Sequence, residues 1–303
     1  MSWIFITIIG HILNGIAFIV DKSLLKSSFK RSATYAGIVG VMSIVVLVAI
    51  PWVPIWPKGI MAWFGIVSGI TFVFGLWSFF AALSRGEASR IVPIVGSLIP
   101  IITILFSYVL LEERLGMKTF IGIGLLCIST FLFTRGGSSG KPTNQAIMLG
   151  IISAVLFALS SVAIKCTFTA VGFLSGFIVA RISSCIMGII ILFIIDRKAG
   201  AEVLGMYSSS HTSKKSLKSA SIILFVGQVC GSMGTITVQW GTSAGSASIV
   251  NALQAVQYAF LVMIGLIFRK RAKMLLGEEV TRETLFIKGI ALLFTAAGLY
   301  LIV

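Results

Sequence analysis

Residues 88–133 read ASRIVPIVGSLIPIITILFSYVLLEERLGMKTFIGIGLLCISTFLF, and this stretch decides the fold. It holds two apolar runs, Ala88–Leu111 and the start of Gly116–Thr134, joined by the short polar turn Leu111-Glu112-Glu113-Arg114-Leu115-Gly116. Each run approaches the roughly 20 residues that cross a ~30 Å hydrocarbon layer at ~1.5 Å of rise per residue. The runs are continuous in apolar character, with no alternation of apolar and polar positions. In lipid every backbone N–H and C=O must be satisfied within its own segment, so such runs are helices.

Eight more runs appear on either side: Trp3–Val20, Thr34–Ile50, Ile60–Leu83, Ala146–Phe168, Gly172–Ile195, Ala220–Trp240, Ala247–Phe268 and Leu285–Val303. The composition agrees. Of 303 residues 57% are hydrophobic and 11% charged, and the mean hydropathy is +1.07. A soluble domain carries about 25% charged residues and must cover itself with polar groups. The expected fold class is therefore all-α, a polytopic membrane protein of ten transmembrane helices.

Two connections are long and polar. Arg135–Gln145 is rich in Gly and Ser and reads as a flexible linker. Asp196–Ser219 is read as a mobile surface loop. The linker near mid-chain prompts a search for repeats. The first run ends in Asp21-Lys22 and the sixth in Ile164-Lys165. Gly86-Glu87-Ala88-Ser89 corresponds to Gly245-Ser246-Ala247-Ser248, and Glu112-Glu113 to Glu278-Glu279. Gly65/Gly69 and Gly227/Gly231 share a spacing that lets helices approach closely. The division expected is 1–135, a linker 136–145, and 146–303. Five helices is an odd number, so two such halves in series run in opposite directions, as in transporters whose site lies at the midplane.

These residues resemble the drug/metabolite transporter superfamily in its EamA-like branch, most specifically through Ala88–Phe133, with Pro93 and Pro100, the Glu112-Glu113-Arg114 exit and the Gly-rich closing helix. The resemblance implies two five-helix repeats and the export or exchange of small metabolites by alternating access. It leaves the substrate open.

Lys and Arg residues sort by side. Connections 1–2, 3–4, 5–6, 7–8 and 9–10 hold most of the 24, while the opposite side holds Lys58, Arg114, Lys118 and Lys165. The positive-inside rule then places a multi-pass protein of the plasma (inner) membrane with both termini outside. The resemblance by itself implies the reverse. The net charge of +15 is read as contact with anionic lipid headgroups and not with nucleic acid, because no stacking aromatics interleave the basic residues.

Charge inside a bilayer is costly, so embedded polar groups are the functional candidates. Arg181 lies about 12 Å into its run by helical rise, on one face with Ser184, Cys185 and Gly188. It is read as an anion contact, against the alternative of an arginine that caps carbonyls or snorkels. The first run carries the stripe His11, Asn14, Asp21 and Lys22. His11 titrates near neutrality in its free form, so proton coupling stands beside a plain helix–helix bond. Lys22 and Lys165 are candidate guards of a cavity, or interfacial snorkels. Gln228, Ser232, Thr235 and Gln239 share one helical face, as do Asn251, Gln254 and Tyr258, with Gln257 beside them. Two such stripes suggest a polar cavity, or ordinary interhelical bonding. Pro93 and Pro100 share a face and suit a gate or a static kink.

Other chemistry finds no support. Cys127, Cys166, Cys185 and Cys230 form no CxxC, and His11 and His211 share no ligand spacing. The paired glutamates lie at turns beside basic residues and read as salt-bridged structure. No nucleotide-binding or hydrolase motif occurs, so no catalytic residue, metal or cofactor is expected. The function expected is a secondary transporter of a small polar or anionic metabolite. Export of amino acids or of cationic, drug-like compounds is one alternative, and a non-transporting receptor or scaffold is another. Oligomeric state is left open between monomer and homodimer.

Overall fold

A computed structural model describes the backbone over residues 2–25, 31–86, 88–133, 143–208, 214–267 and 282–303. The side chains of 20–25, 88–90, 93, 206–208, 214–226, 228, 265–267 and 282–284 fall outside that description.

All ten runs form helices. They are α1 (Ser2–Leu25), α2 (Ser32–Met42), α3 (Gly59–Leu83), α4 (Ala88–Leu111), α5 (Met117–Phe133), α6 (Asn144–Val171), α7 (Phe173–Ile190), α9 (Lys214–Ala244), the pair α10 (Ala247–Ala252) and α11 (Gln254–Ile267), and α12 (Arg282–Ile302). The element α8 (Arg197–Ser208) comes in addition. Among the described residues eight helical stretches are long and apolar enough to cross a membrane, and apolar α5 spans a further 17 residues. The chain is a polytopic all-α membrane protein.

Four local features depart from the simple runs. The second run tightens after Met42 into a 3-10 helix, Ser43–Trp52, which ends at the Pro-rich turn where Trp52 and Trp56 are exposed. A Trp at that level suits the headgroup boundary. The ninth run breaks at Leu253, where Val256 N–H turns back to the Leu253 carbonyl. The linker is shorter than expected, because Thr143 caps α6 by accepting from Ala146 N–H, and Asn144 and Gln145 are already helical.

The fourth departure corrects the expected loop at Asp196–Ser219. Its first half is helix α8, and Asp196 Oδ1 accepts from Ala199 N–H at 3.2 Å. Ala199 and Gly200 are buried against the end of the seventh run, while Arg197, Lys198 and Leu204 are exposed. Asp196 also pairs with Arg31 at 3.0 Å, and Thr34 donates to Glu202 at 2.6 Å.

The packing is made by small residues. At Gly40 an added Cβ would meet the Gly188 Cα at 2.9 Å, and at Gly231 it would meet the Ala17 Cβ at 3.2 Å. At Gly69 it would collide with the Ala180 carbonyl oxygen. Lipid offers no hydrophobic drive between helices, so close backbone approach and interhelical hydrogen bonds hold the bundle. Such bonds tie α3 to α6: Ser160 donates to the Ser68 carbonyl at 2.8 Å, and Ser153 to the Gly75 carbonyl at 2.9 Å.

Contacts between connections define two ends of the bundle. Arg31–Asp196 joins connections 1–2 and 7–8, and Thr143 joins 5–6 to 3–4 through the Arg85 carbonyl. At the other end Trp3 lies beside Gly245, and Ile302 beside Gly122. Both termini share that second end. Helix α1 starts there, whereas α6 starts at the first, so the two run in opposite directions.

Candidate functional site

The site begins with α1, which sits between α9 on one side and α10–α11 on the other. Glycines bring it close: Gly10 abuts Val238 and Gly234, and Gly15 abuts Phe260 and Gln257. This directs His11 at the broken ninth run. His11 is 5% exposed, and its Nε2 lies 2.9 Å from the Val250 carbonyl oxygen. A carbonyl only accepts, so Nε2 carries the hydrogen, and in the neutral ring Nδ1 is a bare acceptor. Gln257 is the polar side chain beside the ring, yet Nδ1 has no hydrogen bond.

The ninth run also meets α4. Asn251 donates to Thr103 Oγ1 at 2.8 Å. Gln254 Nε2 donates to the Tyr258 hydroxyl at 3.4 Å, and Tyr258 is buried. Its oxygen lies over Gly96, where an added Cβ would stand 2.7 Å away. Pro100 denies Gly96 its usual helical donor. α4 nevertheless continues through both prolines. Pro100 is buried, and the side chain of Pro93 lies outside the described residues.

On α9, Ser232 is exposed, and Thr235 and Gln239 are half-buried. Gln239 Oε1 is buried without a partner. The side chains of Gln228 and Lys22 lie outside the described residues. Asn14 Oδ1 lies against Gly234. His11 and Asn14 thus lie where α1 meets α9 and the broken ninth run, and Asn251, Gln254 and Tyr258 lie where that run meets α4.

Arg181 stands elsewhere, on α7 against α3. Its guanidinium carbon lies 5.0 Å from the Phe72 ring centroid and 5.0 Å from that of Phe177. Both are cation–π contacts. Among the described residues no carboxylate pairs with it, and no hydrogen bond or ion pair joins it to the α1–α9–α11 junction. Ser184, expected on its face, donates to the Ala180 and Gly69 carbonyls, and Gly188 packs on α2.

Lys165 is half-buried near the end of α6. Its Nζ donates to the Ser243 carbonyl at 2.9 Å, near the charge of Glu113. Glu113 itself makes no ion pair among the described residues and instead accepts from Ser248 Oγ at 3.2 Å. The preceding Glu112 has φ +52, a left-handed turn after α4. Glu278 and Glu279 lie outside the described residues.

Sequence reasoning passed over Phe72, Phe177, Thr103 and Ser248. Phe177 was within reach, since it precedes Arg181 by four residues on one helical face. Phe72, Thr103 and Ser248 meet their partners across helices, which no spacing reveals. Cys127, Cys166 and Cys185 are free and buried, and Cys230 is free. Among the described residues no cluster of metal ligands occurs.

Comparison with known proteins agrees with the architecture. No curated protein sequence matches the chain. A solved crystal structure is similar over 99% of this chain and 97% of its own, with a TM-score of 0.68 at 16% identity. At that identity the likeness shows the fold alone. Residues 1–135 match the model of the EamA-like transporter family. Through these residues the chain is similar to the EamA-like transporter family, whose members are membrane transporters rather than enzymes.

Proposed function

We propose that this transporter works by alternating access between two oppositely oriented five-helix halves, exporting or exchanging a small polar or anionic metabolite. The observation that carries the substrate reading is Arg181, whose guanidinium carbon lies 5.0 Å from the ring centroids of both Phe72 and Phe177. A guanidinium offers N–H donors to a bidentate acceptor such as a carboxylate or phosphate. No acid of the described chain takes that place.

The pairing of helices supports the inverted halves. The packing of α1 on α9 has its counterpart in α6 on α3, and α1 on α11 in α6 on α4. The pairs α2–α7, α4–α10 and α5–α12 are their own counterparts. A two-fold axis in the membrane plane produces such a pattern. In this reading ten helices cross the plasma membrane, the termini lie outside, and the basic end faces the cytoplasm and its anionic lipids. His11 is the candidate coupling group, and Lys165 and Pro100 belong to the gating parts.

The test is a stabilisation screen of the purified protein with amino acids, sugars, nucleotide sugars, phosphate esters and polyamines. A ligand of the folded state stabilises it by about 2.7 kcal/mol at a hundred times its Kd and so raises Tm. Anionic or polar compounds are expected to raise it. Stabilisation by polyamines alone removes the anion reading.

A further inference from the structure

At the terminus-bearing end one short turn is gripped twice. Residues 245–246 join α9 to α10, and a latch partner lies on either side. Before the turn, the Ser243 carbonyl accepts from Lys165 Nζ of α6 at 2.9 Å. After it, Ser248 Oγ donates to Glu113 Oε2 of the α4–α5 turn at 3.2 Å. Ser248 is 0% exposed, so its hydroxyl depends on the carboxylate for a partner. Beyond Ser248 the chain runs only to Ala252 before the break at Leu253. The six-residue α10 is thus an element with a hinge behind it and a clasp in front.

We infer that Lys165, Glu113, Ser243 and Ser248 form a latch that closes the terminus-bearing end of the transporter, with α10 as the moving part and Leu253 as its hinge. The inference rests on the alternating-access reading.

The chemistry suits a clasp that must open. Each charged group is bonded to a neutral partner, a carbonyl or a hydroxyl, and neither is locked in a direct ion pair. Opening then exchanges two hydrogen bonds for water without separating a buried ion pair, whose rupture is far more costly. The carboxylate and the ammonium still act on one another across the turn, so the two grips are coupled. Beneath the clasp Ile104 of α4 and Ile249 and Ala252 of α10 share one apolar cluster, crossed by the polar pair Asn251–Thr103. Next to the clasp the Ser107 carbonyl accepts from Glu113 N–H at 3.2 Å, and Ser107 Oγ is buried with no partner, a polar site that water enters once the turn lifts.

The test uses the full-length protein in liposomes with a reporter, Ser107→Cys, and a water-soluble maleimide applied from the terminus-bearing end. Glu113→Gln and Lys165→Met are expected to raise the labelling rate about tenfold, the population shift that follows loss of one charge-assisted bond. Lys165→Arg keeps a donor and is expected to restore slow labelling. Buried Cys185 on α7 reports general loosening, and its labelling is expected to stay unchanged. Labelling rates at Ser107→Cys that ignore all of these changes overturn the latch, as does a rise matched at Cys185. No substrate enters these measurements. A chain that transports nothing yet shows the labelling pattern fails the functional reading and keeps the latch.

Discussion

Gly122 of α5 and Gly298 of α12 face each other backbone to backbone. A Cβ on Gly122 would stand 3.0 Å from the Gly298 carbonyl oxygen, and one on Gly298 would stand 2.9 Å from the Gly122 carbonyl oxygen. Farther along the pair, Ser129 donates to the Ala291 carbonyl at 2.7 Å and lies 2.6 Å from Thr295 Oγ1. Close approach permits the hydrogen bonds, and the bonds fix the register. Gly122→Val and Gly298→Val are each expected to cost about 1–3 kcal/mol through overpacking. Because they press on the same gap, the double variant should lose less than the sum. Thermal unfolding in detergent measures both effects, and wild-type Tm in either single variant would contradict the close contact.

Arg181 tests the substrate class. With the guanidinium removed in Arg181→Ala, apparent affinity for an anionic substrate should fall by at least tenfold, the scale of one charge-assisted hydrogen bond. Arg181→Lys keeps the charge but loses the planar, bidentate donor set beside Phe72 and Phe177, so an intermediate loss is expected. Flux into proteoliposomes is the measurement. Full activity in Arg181→Ala removes the residue from the site.

His11 has two separable roles. Its Nε2–H serves the Val250 carbonyl at the helix break, so His11→Ala should cost about 1–3 kcal/mol by leaving a buried acceptor unsatisfied. His11→Gln retains an N–H and should recover part of that loss. If the bare Nδ1 accepts the coupling proton, flux through His11→Gln loses the pH dependence that the wild type shows. A pH profile equal to that of the wild type assigns His11 to structure alone.

Orientation is read from two exposed positions at opposite ends of the bundle. Val303 lies at the terminus-bearing end and Lys198 on α8 at the basic end. By the positive-inside rule, Val303→Cys should react with an impermeant maleimide on intact cells, and Lys198→Cys only after permeabilisation. The opposite pattern would place the termini inside.

Much of the bundle was legible because lipid leaves the backbone one choice. Any continuous run such as Ala88–Leu111 must form its own hydrogen bonds, so composition and length locate the helices. Helix α8 was hidden for the converse reason. Its residues are polar, and its stability comes from the Asp196 cap and the burial of Ala199 against α7, both products of packing. The break at Leu253 was hidden as well. Asn251, Leu253 and Gln254 are ordinary in a helix, and the interruption shows only where His11 takes the carbonyl of Val250.

The sequence by itself determined that this chain lives in a membrane, where its apolar helices lie, and that Arg181 and His11 fall within apolar runs. Those facts follow from local cost, the free energy of placing each segment or side chain in lipid. Tertiary structure alone decided what stands beside them: Phe72 over the guanidinium, Val250 on the imidazole, Ser248 on Glu113. Such contacts join residues far apart in the chain, and no local energy specifies which distant helix a polar group will find.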